Sequence, residues 1–199
     1  ELKRTLIPGF LDAANLNGRI YGAPMRMAVK SIVWYPKKAW EEAGYPDQFD
    51  SIQDLMDFSQ ELVDKGETPW CMGWESDQAT GWVGTDWVEE LMLRMWGPDV
   101  YDQWYQHKIP FNDPKVAEAL DRVGAILKNP KYVNGGYGDV KSIATTTFQD
   151  GGLPILKGKC ALHRQASFYA ANWPTGTNVS QDGDVFAFYL PVTNADNGR

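Results

Sequence analysis

Thr80-Gly-Trp-Val-Gly-Thr-Asp-Trp-Val-Glu-Glu90 sets two tryptophans, hydroxyls and a carboxylate at the opening of a helix. A short strand-like run, Trp70-Cys-Met-Gly-Trp74, comes shortly before it. Indole faces stack on the C–H faces of sugar rings, and a carboxylate beside them accepts hydrogen bonds from ring hydroxyls. A dry core avoids that mixture, because a buried unpaired Asp is costly. The plain alternative makes Thr85 or Asp86 a helix N-cap and packs Trp82 and Trp87 as core. A second constellation, Ala161-Leu-His-Arg-Gln-Ala-Ser-Phe168, puts His163, Arg164, Gln165, Ser167 and Phe168 at a strand-to-helix turn. Open α/β sheets bind ligands at such strand ends. Taken alone, it reads equally as a solvated turn with Phe168 in the core. Two such turns, each carrying an aromatic ring, an amide or hydroxyl and a charge, point to one shared carbohydrate groove.

Other chemistry finds little support. Glu75, Asp77 and Asp86 are the carboxylates available for glycoside hydrolysis, which needs two carboxyl groups at a defined separation with one pKa raised. Polar neighbours such as Ser76, Gln78 and Thr80 favour the charged form instead. A hydrolase using Glu75 and Asp86 is therefore the rival reading, with a pure protein-interaction domain beside it, and the chain is expected not to be an enzyme. Phosphate-cradling glycine loops and the Gly-x-Ser-x-Gly elbow are absent, so no nucleotide cofactor is implied. His107 and His163 are the only histidines and lack metal-ligand spacing. Asp182-Gly-Asp184 reads as a turn, not a calcium loop. Asn178-Val-Ser180 matches a glycosylation acceptor pattern that recurs by chance.

A net charge of -7 argues against nucleic acid or an anionic membrane surface as partner. Nine tryptophans and nine tyrosines are the compositional outlier, and such an excess commonly marks flat contact surfaces. The elements that must position the two constellations can be read along the chain. Arg19–Tyr35 is extended and interrupted by Pro24. Pro36 opens a short helix from Lys37 to Ala43, stopped by Gly44. Ser51-Ile-Gln-Asp54 is a capping-box variant opening an amphipathic helix that closes at Gly66. Trp70–Trp74 reads as a strand, Thr85–Trp96 as a helix ended by Gly97-Pro98, and Val100–His107 as a second short helix. Asn112-Asp-Pro114 starts a helix whose buried stripe is Val116, Leu120, Val123, Ile126 and Leu127.

Asn129–Asp139, with Gly135-Gly136, is a loop, and Ser142–Gly151 reads as a further helix. Gly158–His163 reads as a strand, Ala166–Asn172 as a short helix and Asp184–Leu190 as a strand. Strands interleaved with helices predict a layered α/β domain. Glu1-Leu-Lys-Arg-Thr5 has no apolar export segment and no initiating Met, so the chain reads as an excised part of a longer protein. Cys71 and Cys160 are compatible with one disulfide or with two buried thiols.

The same residues resemble a known family. Asn17-Gly-Arg-Ile-Tyr-Gly-Ala-Pro24 followed by Ser31-Ile-Val-Trp-Tyr-Pro-Lys37 looks like the crossover of bacterial extracellular solute-binding proteins, the sugar receptors of ABC importers. Ala79–Trp87 and Cys160–Phe168 are similar to the α-glucoside-binding branch. The resemblance implies one lobe, residues 1–199, of a two-lobed, maltose-binding-protein-like α/β fold, a small mixed sheet flanked by helices. Residues 1–24 and 186–199 would be hinge or crossover segments. It implies a periplasmic or extracellular protein that delivers an α-glucoside or short oligosaccharide to membrane permease subunits, with no cofactor or metal.

By the same resemblance Trp82, Thr85 and Asp86 line the cleft after one strand, and Gln165, Ser167 and Phe168 after another. Glu75 carries over weakly, and Arg164 lies in the matched segment. Ala28 stands where relatives place an acidic contact, leaving Arg26 and Lys30 to take polar duty there or to be solvated. The resemblance also sets the Cys71 and Cys160 strands side by side, implying a bridge in an exported protein. A half-cleft rich in Trp would be an exposed apolar patch able to pair two copies.

Overall fold

The computed structural model describes residues 2–134 and 138–193. Gly135-Gly136 of the expected loop, and residues 194–199 of the expected return segment, lie outside them. Two short helices, α1 (Leu2–Thr5) and α2 (Pro8–Asp12), precede a two-stranded ribbon, β1 (Asn15–Leu16) against β2 (Arg19–Ile20). The central sheet follows: β3 (Ile32–Pro36) lies between β4 (His163–Arg164) and β5 (Val185–Tyr189), antiparallel to both. Val33 pairs with Arg164 on one side and with Phe188 on the other. β3 is thus the spine against which the second constellation is held.

Helices cover this sheet as the sequence pattern dictates. Pro36 leads directly into α3 (Lys37–Glu42). Ser51 caps α4 (Ile52–Asp64) by accepting the Asp54 N–H at 3.1 Å. Asp113 caps α6 (Pro114–Leu127) through the Lys115 N–H at 2.9 Å. The apolar faces of α4 and α6 meet Trp40, Trp70, Trp87 and Val33 in one core. Leu120, placed in the buried stripe by its spacing, is exposed.

α5 spans Trp82–Tyr105 but is broken at Gly97, whose φ of 79° and ψ of 174° leave the helix just before Pro98. Only glycine holds that φ without strain. The expected helix end at Gly97-Pro98 is thus a kink between two helical stretches. The start also moves. Gly81, in the left-handed region at φ 103°, is the residue before the helix, so Thr85 and Asp86 lie inside it and are not its N-cap.

Three expected elements are more irregular than their sequence patterns. Trp70–Trp74 forms no continuous strand: Trp70 makes isolated parallel bridges to Val133 and Leu162, and Glu75, just after the segment, makes one to Thr147. Gly73 explains the break: a Cβ there would collide with the Thr146 and Thr147 carbonyl oxygens, so the two backbones cross in near contact. Ser142–Gly151 is not an α-helix. A 3-10 turn at Val140–Ala144 ends in Thr145-Thr-Thr147, where Thr147 pairs with Glu75. β-branched residues followed by Gly151-Gly152 lower the helical preference enough for that pairing to prevail. Of the expected strand Gly158–His163, His163 pairs with β3, together with Arg164.

Candidate functional site: an aromatic shelf beside an ion pair

Trp82 is the first residue of α5, and Phe168 is the second residue of the 3-10 turn Ser167–Ala171 that follows β4. Their ring centroids are 6.0 Å apart, tilted by 47°. Phe148, brought alongside by the Glu75–Thr147 bridge, completes a triad at 5.1 Å from Trp82 and 6.2 Å from Phe168, edge-on to both. All three rings are half-buried. Edge-to-face packing at these distances is favourable and holds the rings rigid. The two constellations therefore share one surface.

One helical turn after Trp82, Asp86 lies on the same face of α5. Its Oδ2 accepts from Lys30 Nζ at 2.7 Å, and the same ammonium sits 5.5 Å from the Trp82 ring centroid. Ser167 fixes the chain beside Lys30: its Oγ accepts the Val29 N–H at 3.0 Å, while its own N–H donates to the Val29 carbonyl at 2.8 Å. Thr85 is exposed, its hydroxyl donating back to the Trp82 carbonyl. Glu75 is half-buried at the far end of the shelf, where it accepts the Asp77 N–H at 2.6 Å. Trp82, Asp86, Ser167 and Phe168 thus gather at one place, with Thr85 and Glu75 at its margins.

Arg164 and Gln165 do not join them. Arg164 is 1% exposed and donates to Glu90 at 3.2 Å and to the Asp86 carbonyl at 3.3 Å, its guanidinium 5.2 Å from the Trp87 ring. Burial pulls its pKa below that of ordinary arginine, opposed by the charges of Glu90 and Asp86. Glu90 also pairs with Arg94 and accepts from Ser31 Oγ at 2.7 Å. This buried cluster ties α5 to β4 and to the residue before β3. Gln165 has no exposed surface, and its Oε1 accepts the Ala166 N–H at 2.9 Å. Successive residues of a strand face opposite sides, yet His163, Arg164 and Gln165 are all buried. Both faces are covered here, which their place at a strand end does not reveal.

Phe148 and Lys30 are the additions. Phe148 had been placed within a helix, and only the backbone crossing at Gly73 brings it to the shelf. Lys30, half-exposed, pairs with Asp86. Cys71 and Cys160 are joined, with Cα atoms 5.6 Å apart and 89 residues between them in sequence. The Cys71 N–H donates to the Leu162 carbonyl at 2.8 Å, so the segments leading to the two constellations are stapled side by side. A separate apolar cavity of about 380 Å³ opens between α4 and α6. Trp70, Trp87, Leu91 and Leu190 line it together with Gln53, Asp57, Gln60 and Arg122, and it shares no residue with the Trp82–Phe168 shelf.

Comparison with known proteins bears on the family and the fold. The osmoprotective compounds-binding protein GgtB of Synechocystis is 42% identical over 200 residues, covering all of this chain and 46% of its own length. The alpha-glucosides-binding periplasmic protein AglE of Rhizobium meliloti is 39% identical, covering 92% of this chain and 40% of its own. The chain thus spans less than half the length of these relatives. Among solved structures, the bacterial solute receptor AcbH, described as preferring β-D-galactopyranose, superposes with a TM-score of 0.73 at 20% identity over 99% of this chain and 46% of its own. A chitin oligosaccharide binding protein gives 0.71 at 18% identity over 92% of this chain and 43% of its own. These place the fold among maltose-binding-protein-like sugar receptors. Residues 2–196 match the description bacterial extracellular solute-binding protein, and the chain belongs to that family.

Proposed function

We propose that this chain supplies one wall of a carbohydrate cleft in the substrate-binding component of an ABC importer. The protein binds an α-glucoside or short oligosaccharide without turning it over, outside the cytoplasmic membrane, and hands it to permease subunits. The observation that carries this reading is the triad Trp82, Phe148 and Phe168 beside the Lys30–Asp86 pair. An aromatic platform flanked by a donor and an acceptor matches the two faces of a sugar ring, apolar C–H on one side and hydroxyls at the rim. The name of the alpha-glucosides-binding relative at 39% identity supports the same class of ligand. Closure of the second wall would stabilise the bound state, because a ligand shifts a two-state equilibrium by its differential affinity for the closed form.

The test is Trp82→Ala in the full-length protein, titrated calorimetrically with maltose, sucrose and trehalose. Loss of stacking and buried ring area should weaken binding of the preferred sugar by about tenfold or more, on the order of 1.4 kcal/mol. The variant's melting curve should stay cooperative. Unchanged affinity with a lowered melting temperature would make Trp82 a packing residue and refute the proposal.

A further inference from the structure

We infer that Lys30 is a specificity residue of this cleft, its ammonium and the Asp86 carboxylate together holding one vicinal diol of an uncharged sugar; the inference rests on the carbohydrate-binding reading above. Lys30 is tethered but free at its tip. The residues on either side are fixed, Val29 by two hydrogen bonds with Ser167 and Ser31 by Glu90 and by the Leu190 N–H. The Lys30 side chain nevertheless remains 50% exposed, while Asp86 is 13% exposed.

An ion pair of that exposure contributes little to folding. Its position gives it a use. The ammonium lies over the shelf, 5.5 Å from the Trp82 centroid and 2.7 Å from Asp86 Oδ2. An ammonium has three donors and no acceptor, and a carboxylate is acceptor-only. One Lys30 donor serves Asp86, and the other two meet no acceptor among the described residues. Asp86 Oδ1 accepts no hydrogen bond from the described residues.

A free donor and a free acceptor stand side by side at the rim of an aromatic face. Two adjacent sugar hydroxyls fit that arrangement: one donates to Oδ1, and the oxygen of its neighbour accepts from Nζ. With the two charges opposed, the rim is neutral. A ligand lacking either hydroxyl leaves one member of the pair desolvated and unmatched, which is a strong basis for discrimination.

The experiment uses the full-length protein and calorimetry with whichever of maltose, sucrose and trehalose it binds most tightly, together with the monodeoxy analogues of that sugar. Lys30→Met keeps the aliphatic stem over Trp82 and removes the donors. It should weaken the parent sugar by about tenfold or more. It should also bring the ratio of parent to one deoxy analogue close to one, and leave the melting temperature nearly unchanged. Asp86→Asn should do the same for the adjacent position. The double variant should lose little beyond the worse single one, because both groups act on one diol. Lys30→Arg should retain most of the affinity.

Wild-type affinity and wild-type deoxy discrimination in Lys30→Met would overturn the inference, and so would a lowered melting temperature with discrimination intact. If Trp82→Ala weakens binding in the same series, the cleft reading survives that failure. If Trp82→Ala is also without effect, or no sugar of the three binds, the cleft reading falls with it.

Discussion

Cutting the Cys71–Cys160 bridge should cost this chain a large fraction of its stability. The two half-cystines are 89 residues apart and enclose α5, α6 and the whole Phe148 loop. Loop-closure entropy for a ring of that size corresponds to about 4.6 kcal/mol at 25 °C in the chain-entropy treatment. Total stabilities of ordinary domains are about 5–15 kcal/mol, so the loss is from about a third to nearly all of it. Both cysteines are buried among Trp34, Ile155, Tyr169, Trp173 and Val185, so alanine is the fitting replacement because it introduces no hydroxyl into that cluster. Urea unfolding of Cys71→Ala/Cys160→Ala against the oxidised chain, followed by tryptophan fluorescence, measures the difference. With a slope of about 2 kcal/mol per molar urea, the midpoint should fall by roughly 2 M. The same fall should follow addition of reductant to the parent chain and leave the double variant unmoved. A midpoint shift below about 0.3 M in the variant would show that the short backbone pairings between these segments, and not the bond, hold them together.

Two further outcomes follow from buried groups. His163 is 1% exposed, and its Nδ1–H donates to the Cys71 carbonyl at 2.9 Å, leaving Nε2 bare in the core. Burial lowers its pKa from 6.5 to about 4, with the Arg164 charge adding to the effect and the Cys71 hydrogen bond opposing it. The unfolded chain therefore binds a proton that the folded chain refuses between those values, so stability is fully present above pH 6.5 and declines as pH falls toward 4. Equilibrium unfolding should show a loss of about 2 kcal/mol between pH 6.5 and 5, from about 1.4 kcal/mol per unit. A slope in His163→Gln equal to that of the parent would assign the loss elsewhere. The second outcome concerns Gly84, in the first turn of α5, where a Cβ would come within 2.8 Å of the Trp74 ring. Gly84→Ala should lower the melting temperature, since overpacking at about 1–3 kcal/mol exceeds the roughly 1 kcal/mol that alanine adds to helix propensity. A rise in melting temperature would mean that Trp74 moves aside freely.

The α/β layering and the long amphipathic helices were legible because their signals are local. Ser51 and Asp113 cap the helices that their spacing announces, and the alternation from Val185 to Tyr189 is a strand. The segments misread as regular elements are those settled by contacts distant in sequence. The run around Cys71 has strand composition but is interrupted where Gly73 must let the Thr146–Thr147 backbone pass. The expected helix after Ser142 yields to the pairing of Thr147 with Glu75, a contact 72 residues away that no periodicity encodes.

The candidate site divides along the same line. Trp82 and Asp86 are four apart and share a face only because α5 starts three residues earlier than the expected Thr85, whereas the nearness of Ser167 to Phe168 is a property of the local sequence. Which strand-end residues stay exposed depends on what packs over β4 from distant parts of the chain, and both of its faces are covered, so Arg164 and Gln165 are buried. Charge type alone misleads here. Arg164 and Lys30 are both cations beside Asp86, yet the guanidinium is matched inside by Glu90, whereas the ammonium is left at the rim. A buried cation needs a partner of its own, because removing it from water costs more than a single exposed pairing returns. Once Glu90 is committed to Arg164 and Arg94, Asp86 needs a cation from outside the core, and the segment leading into β3 supplies Lys30. The exposed ion pair on the shelf is thus a consequence of the buried one beneath it.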